Sequence, residues 1–164
     1  WREGDGPGAG LWYDLGPHLI DQALCLFGMP KAISCDLATL RPGGLATDYA
    51  HAVLVYQDHR VILHADMVTP APDLRFAVHG ERASWPGAQD WGHDARSSQI
   101  IDGETGEAET RPKLTGDYGA YYSAVAKALR GQGPNPVTPD QAVAVMQVLE
   151  AGLMSARQGR TIAF

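Results

Sequence analysis

From about residue 32 to residue 78 apolar and polar residues alternate, and on either side of this block the apolar spacing becomes helical. This order of periods is the strongest constraint the chain places on its own fold. The spacing predicts strands over Ala32–Leu40, Tyr49–Gln57, Arg60–Val68 and Asp73–His79, parted by turn-rich pieces such as Arg41-Pro-Gly-Gly44 and Thr69-Pro-Ala-Pro72. Gln57-Asp58-His59-Arg60 reads as a tight hairpin with Gln57 paired to Arg60. Ala52, Leu54, Tyr56, Val61, Leu63 and Ala65 then share one face, and His51, Val53, Val55, Arg60, Ile62, His64 and Asp66 the other. One apolar and one mixed face describe an antiparallel sheet with helices on a single side.

The flanks supply those helices. Pro17 suits a first helical turn, Leu19, Ala23, Leu26 and Phe27 form an apolar stripe, and Gly28 with Pro30 ends the helix. A second helix is expected from about Asp117 to Arg130, with Tyr118, Tyr121 and Tyr122 as core and rim residues. A third starts at Thr138-Pro139, with Thr138 as N-cap, and runs to about Gln158 with Val145, Val148, Leu149 and Leu153 inward. Thr161–Phe164 is expected to return as an edge strand, and the polar stretch 81–111 to hold a short hairpin at Gly103-Glu-Thr-Gly106. The fold class is therefore α+β, an open and mainly antiparallel sheet with helices packed on one face, and not a parallel βαβ array. All 164 residues fit one domain.

Charge and cysteine usage exclude several classes of function. The net charge of -6 arises from 13 basic and 19 acidic residues with no Lys/Arg cluster, which argues against nucleic acid as a partner. Cys25 and Cys35 form no CxxC pair, so neither a disulfide framework nor a zinc site is expected, and a reducing cytoplasm is the default location. No apolar run approaches the roughly 18 residues of a membrane helix. Trp1-Arg-Glu-Gly carries no targeting signal and reads as the interior of a longer protein.

The chemistry-bearing segment is Asp14-Leu-Gly16-Pro17-His18-Leu-Ile-Asp21. Read as a loop-to-helix junction, it puts an imidazole in a first helical turn, where the positive end of the helix favours the neutral ring and acid/base work. Asp14, just upstream, either caps the helix or binds the imidazole or a hydroxyl, and Asp21 shares a helical face with His18. Asp90-Trp91-Gly92-His93-Asp94 combines carboxylates with an aromatic face, which suits a sugar, or equally a tryptophan that pins a loop. The expected substrate-side residues are thus Trp12, Asp21, Asp90 and Trp91 beside His18 and Asp14. In the register above His51 falls opposite Asp66 and His64 opposite Val53. Two histidines and a carboxylate are metal-ligand types, but the register rests on the turn and a mixed face suits packing against another subunit better, so no metal is expected. Gly4-Asp-Gly6-Pro-Gly8-Ala-Gly10 has no strand before it, so it is not a phosphate-binding turn and this chain is expected to hold no cofactor.

The spaced set Gly8, Gly10, Leu11, Asp14, Gly16, His18 and Asp21 resembles the Gfo/Idh/MocA family, which includes glucose–fructose oxidoreductase and inositol dehydrogenase. Trp1-Arg-Glu, Asp21-Gln-Ala-Leu24, Leu26-Phe-Gly28, Leu40-Arg-Pro-Gly43, Thr47-Asp48-Tyr49 and Asp90-Trp91-Gly92 are similar to one bacterial branch of it. The resemblance implies the family's C-terminal, dihydrodipicolinate-reductase-like domain, with NAD or NADP held by an N-terminal Rossmann domain missing from this chain. It makes Asp14 and His18 the counterparts of the family's catalytic Asp and His. It also implies a lysine in a Glu-Lys-Pro motif, which is absent here because Lys31, Lys113 and Lys127 stand in other contexts. The implied substrate is a small sugar, polyol or related secondary alcohol or aldehyde, and the implied partner is a second copy on the open sheet face. The other reading left open is a non-catalytic oligomerisation or carbohydrate-binding module.

Overall fold

A computed structural model describes residues 2–70, 76–86, 97–112 and 116–164. They form two compact units, one of Trp1–Thr69 with Val137–Phe164 and one of Pro70–Pro136.

The first unit is built on the alternating block. Strands β1 (Ala32–Ala38), β2 (Tyr49–Val55) and β3 (Arg60–Asp66) pair antiparallel, and the short β8 (Ile162–Ala163) adds to the free edge of β1 in the order β3-β2-β1-β8. The faces are those the alternation predicts. Ala50, Ala52, Leu54, Tyr56 and Leu63 are buried, as are Ile33 and Cys35, while Ile62 on the opposite face is 62% exposed. The register differs from expectation: Val55 pairs with Arg60 and His51 with His64, so Gln57 lies in the loop. Tyr56 N–H donates to the His59 carbonyl at 3.2 Å and the two rings stack at 4.4 Å, which closes a turn of the same length as Gln57–Arg60 but one residue earlier in the chain. A slip of two residues leaves every side chain on its original face.

Helix α1 (Leu11–Phe27) begins well before Pro17, which lies inside it. Leu11, Trp12, Gly16, Ile20 and Ala23 form the buried stripe, whereas Leu26 and Phe27 are 66% and 42% exposed. The extra turns bury Leu11 and Trp12, and that gain offsets the backbone N–H that Pro17 lacks. Helix α3 (Pro139–Gln158) starts as expected, with Thr138 and Gln141 forming a reciprocal capping box. Val145, Val148, Leu149 and Leu153 face the core. Trp12 is wedged between the helices and is 1% exposed, its indole N–H donating to the Leu149 carbonyl at 3.0 Å. Gly152 makes the wedge possible, because a Cβ there would lie 2.7 Å from Trp12 Cζ2. Ser155, also buried, ties α3 to β1 by accepting from Cys35 N–H at 2.9 Å. Burial pushes the Cys35 thiol up to about 12, with Asp36 adding to the shift, so it is an inert core residue.

In the second unit β4 (Val78–His79), β5 (Ala83–Trp85), β6 (Ser97–Asp102) and β7 (Ala108–Pro112) form an antiparallel sheet in sequence order. The expected hairpin joins β6 to β7, with the Asp102 carboxylate accepting from Glu104 and Thr105 N–H. Helix α2 (Tyr118–Leu129) has no buried residue; Tyr118 is 88% and Tyr122 70% exposed. Among the described residues the tyrosines are therefore exposed and do not form the core expected of them.

Gly152→Ala tests the wedge. Overpacking costs about 1–3 kcal/mol, more than the roughly 1 kcal/mol by which alanine exceeds glycine as a helix former. Urea unfolding is expected to show a net loss of stability; a gain would mean that Trp12 does not pack where it is placed.

Candidate active site

Asp14, His18 and Asp21 fall at i, i+4 and i+7 on α1, one side of the helix, while Trp12, Gly16, Ile20 and Ala23 occupy the other. His18 and Asp21 are exposed and Asp14 is half-buried. Because α1 starts at Leu11, His18 is its eighth residue and not in the first turn. The helix-end field fades within that turn and does not extend to His18. Asp14 is not the cap either. Gly10 holds that position with φ 94°, and no side chain caps the helix.

Asp14 instead meets Arg2, whose Nε stands 3.1 Å from Oδ1 with the carboxylate 23% exposed. Among the described residues no hydrogen bond or ion pair joins His18 to Asp14 or to Asp21. Trp12, expected on the substrate side, is a core residue with its only donor committed to Leu149. Asp90 and Trp91 lie outside the described residues.

The first turn of α1 is held from the loop between β1 and β2. Asp48 is fully buried, and its carboxylate accepts from Leu40 N–H at 2.6 Å and from Arg41 N–H and Nε at 3.0 Å. Arg41 then reaches Glu3 Oε2 at 2.7 Å. Beside Asp48, the Thr47 carbonyl takes the Leu11 N–H at 2.7 Å, and Gly10 N–H donates to the Arg2 carbonyl at 3.0 Å. Only glycine fits at position 10: φ is positive, and a Cβ would clash with the Thr47 side chain. Sequence reasoning missed Arg2 and Asp48. The only signal was their place in Trp1-Arg-Glu and Thr47-Asp48-Tyr49, where they served as branch markers without a role.

The Leu11 N–H, the first of helix α1, is spent on the Thr47 carbonyl and does not face a phosphate. Among the described residues no three His, Cys, Asp or Glu side chains gather to hold a metal ion. No helix there is long and apolar enough to cross a membrane.

The family model for the C-terminal alpha/beta domain of an oxidoreductase family, Gfo/Idh/MocA, matches residues 1–164. The chain belongs to that family. It is 44% identical to the uncharacterized oxidoreductase YdgJ of Escherichia coli K12, over 99% of this chain and 52% of YdgJ. It is 33% identical to scyllo-inositol 2-dehydrogenase (NADP(+)) IolW of Bacillus subtilis 168, over 99% of this chain and 51% of that protein. The fold is similar to the crystal structure of a Klebsiella pneumoniae protein provisionally assigned as an oxidoreductase, with a TM-score of 0.86 at 42% identity, covering 97% of this chain and 51% of that one. The chain thus spans about half the length of the curated relatives it matches. The α+β class and the family expected from Gly8 to Asp21 are both confirmed.

Asp48 gives a test of the loop that seats α1. The Leu40 N–H, with Arg41, holds its carboxyl below the usual carboxylate range despite burial. A lowered folded value stabilises the fold above the unfolded value, near 3.9, and this is lost as pH falls through the folded one. Asp48→Asn should therefore lower stability at about pH 7 and narrow its difference from the wild type at about pH 3 in urea unfolding. An equal difference at both pH values would refute this role.

Proposed function

We propose that this domain forms the substrate-side wall of an NAD(P)-dependent oxidoreductase active site acting on a sugar, polyol or related secondary alcohol or aldehyde. The observation that carries the reading is the polar strip Asp14–His18–Asp21, presented on a helix whose other face is locked into the core. Relatedness to the scyllo-inositol dehydrogenase IolW supports the polyol class and NADP as one candidate cofactor.

We assign NAD or NADP, and the catalytic lysine that the family resemblance implies, to the half of the parent protein that lies outside this chain. The residues here bind, orient and move a proton. His18 accepts the proton of the hydroxyl on the carbon being oxidised, or returns it in reduction, as a positioned imidazole does in general acid–base catalysis. Asp14 accepts a hydrogen bond from a substrate hydroxyl with one oxygen while Arg2 holds the other. Asp21, one turn beyond His18, is placed for a further hydroxyl.

The second reading, a non-catalytic module, draws on the Arg2–Asp14 pair, which already gives that carboxylate a structural partner. The open face of the first sheet, with Ile62 exposed, suits a homo-oligomer contact under either reading.

The test uses the full-length protein with scyllo-inositol, other polyols and aldoses, and both NAD and NADP. A turned-over substrate is expected, and His18→Ala should lower kcat by about 10²–10⁴-fold. Turnover in the wild type with kcat unchanged in His18→Ala would return His18 to a structural role; no turnover across the panel would refute the substrate class.

A further inference from the structure

The two-residue slip in the β2–β3 register brings together a pair that a Gln57–Arg60 pairing keeps apart. His51 and His64 are direct cross-strand partners on the sheet face turned away from α1 and α3. Their Nδ1 atoms stand 3.3 Å apart, with ring centroids at 5.4 Å. Two nitrogens each about 2.0–2.1 Å from a tetrahedrally coordinated ion are about 3.3–3.4 Å apart, so the pair already has the bite of a two-histidine chelate.

The other nitrogen of His64 settles which atom is available. Nε2 lies 3.0 Å from Asp66 Oδ2 and donates to it, which leaves Nδ1 as the lone pair facing His51. A carboxylate that fixes the ring and tautomer of a ligating histidine is the usual outer support of a protein metal site. Asp66 is itself anchored, accepting from Val68 N–H, Thr69 N–H and the Thr69 hydroxyl, and chiefly that hydroxyl holds its carboxyl down to about 2. Tyr49 packs edge-on against His64 at 5.3 Å and limits its rotation. On β1, Asp36 is the direct partner of His51 on the same face. Without an ion, the 3.3 Å contact is the His51 Nδ1–H donating to the His64 lone pair; when an ion takes both Nδ1 lone pairs, the His51 proton moves to its own Nε2.

We propose that His51 and His64 form a binding site for a divalent transition-metal ion of the zinc, nickel and copper group, with Asp66 orienting His64. Imidazole donors select that group of ions over magnesium and calcium. Two protein ligands leave the other coordination positions to water or to Asp36 after a side-chain movement. The ion bridges β2 and β3 on the face opposite α1, so the site stands or falls independently of the role of His18.

The experiment is calorimetric titration of the metal-free full-length protein with zinc sulfate and, separately, magnesium sulfate. The wild type, His51→Gln, His64→Gln, Asp66→Asn and His79→Gln are compared. The wild type should bind one zinc ion per chain and no magnesium. His51→Gln and His64→Gln should each weaken zinc binding at least about tenfold, and Asp66→Asn by about 10- to 100-fold. His79→Gln should match the wild type, and binding should weaken from about pH 7.5 to about pH 5.5, because protons compete for both rings. His64 is exposed, so His64→Gln reports on the site even if His51→Gln disturbs the strand. No saturable zinc binding, or an unchanged isotherm in His64→Gln, would overturn the proposal.

Discussion

The wedge of Trp12 between α1 and α3 is the contact on which the first unit depends. The indole ring lies over Gly152 and its N–H is fastened to the Leu149 carbonyl, so neither helix can rotate without breaking a buried hydrogen bond or colliding with the ring. Fixing Trp12 inward fixes the phase of α1. Residues 16, 20 and 23 follow it into the core, and residues 14, 18 and 21 must then face outward. The polar strip is thus a consequence of core packing. At the start of the helix, the buried Asp48 carboxylate holds the β1–β2 loop in the shape that offers the Thr47 carbonyl to Leu11 and Arg41 to Glu3.

Much of this was legible in the sequence, and the limits have physical causes. Sheet faces follow from alternation, which is indifferent to a slip of two residues, so the faces were readable while the register was not. The register depends on Tyr56 and His59 closing the turn one residue earlier than Gln57 and Arg60 would, an aromatic contact that carries no periodic signal. The start of α3 was readable because Thr138 and Pro139 carry local N-cap and first-turn signals. The start of α1 was not, because glycines and Pro17 locally favour a break, and only burial of Leu11 and Trp12 against distant residues overrides them. The same reasoning covers Arg2 and Asp48. Arg41, which Asp48 holds, reaches Glu3 across 38 positions of sequence. Asp14 and His18 could be singled out because the motif around them is local, although their places in the helix could not.

The first sheet separates two kinds of chemistry. On the helical side, the core anchors α1, and the proposed substrate wall inherits that rigidity, as a site that must hold a proton donor in fixed geometry requires. On the open side, β1, β2 and β3 line up Asp36, His51 and His64 across the strands, with Asp66 beside them, and the proposed metal site draws its geometry from strand pairing alone. Perturbing one leaves the other's supports in place.

The central claim is that the outward face of α1 borders the reacting carbon of the substrate. A crystal structure of the full-length protein with NADP and scyllo-inositol bound tests it most directly. The account predicts a substrate hydroxyl within hydrogen-bonding distance of the His18 imidazole and another meeting Asp14. A complex in which the substrate sits against a different element, with His18 and Asp14 turned to open solvent, would contradict it.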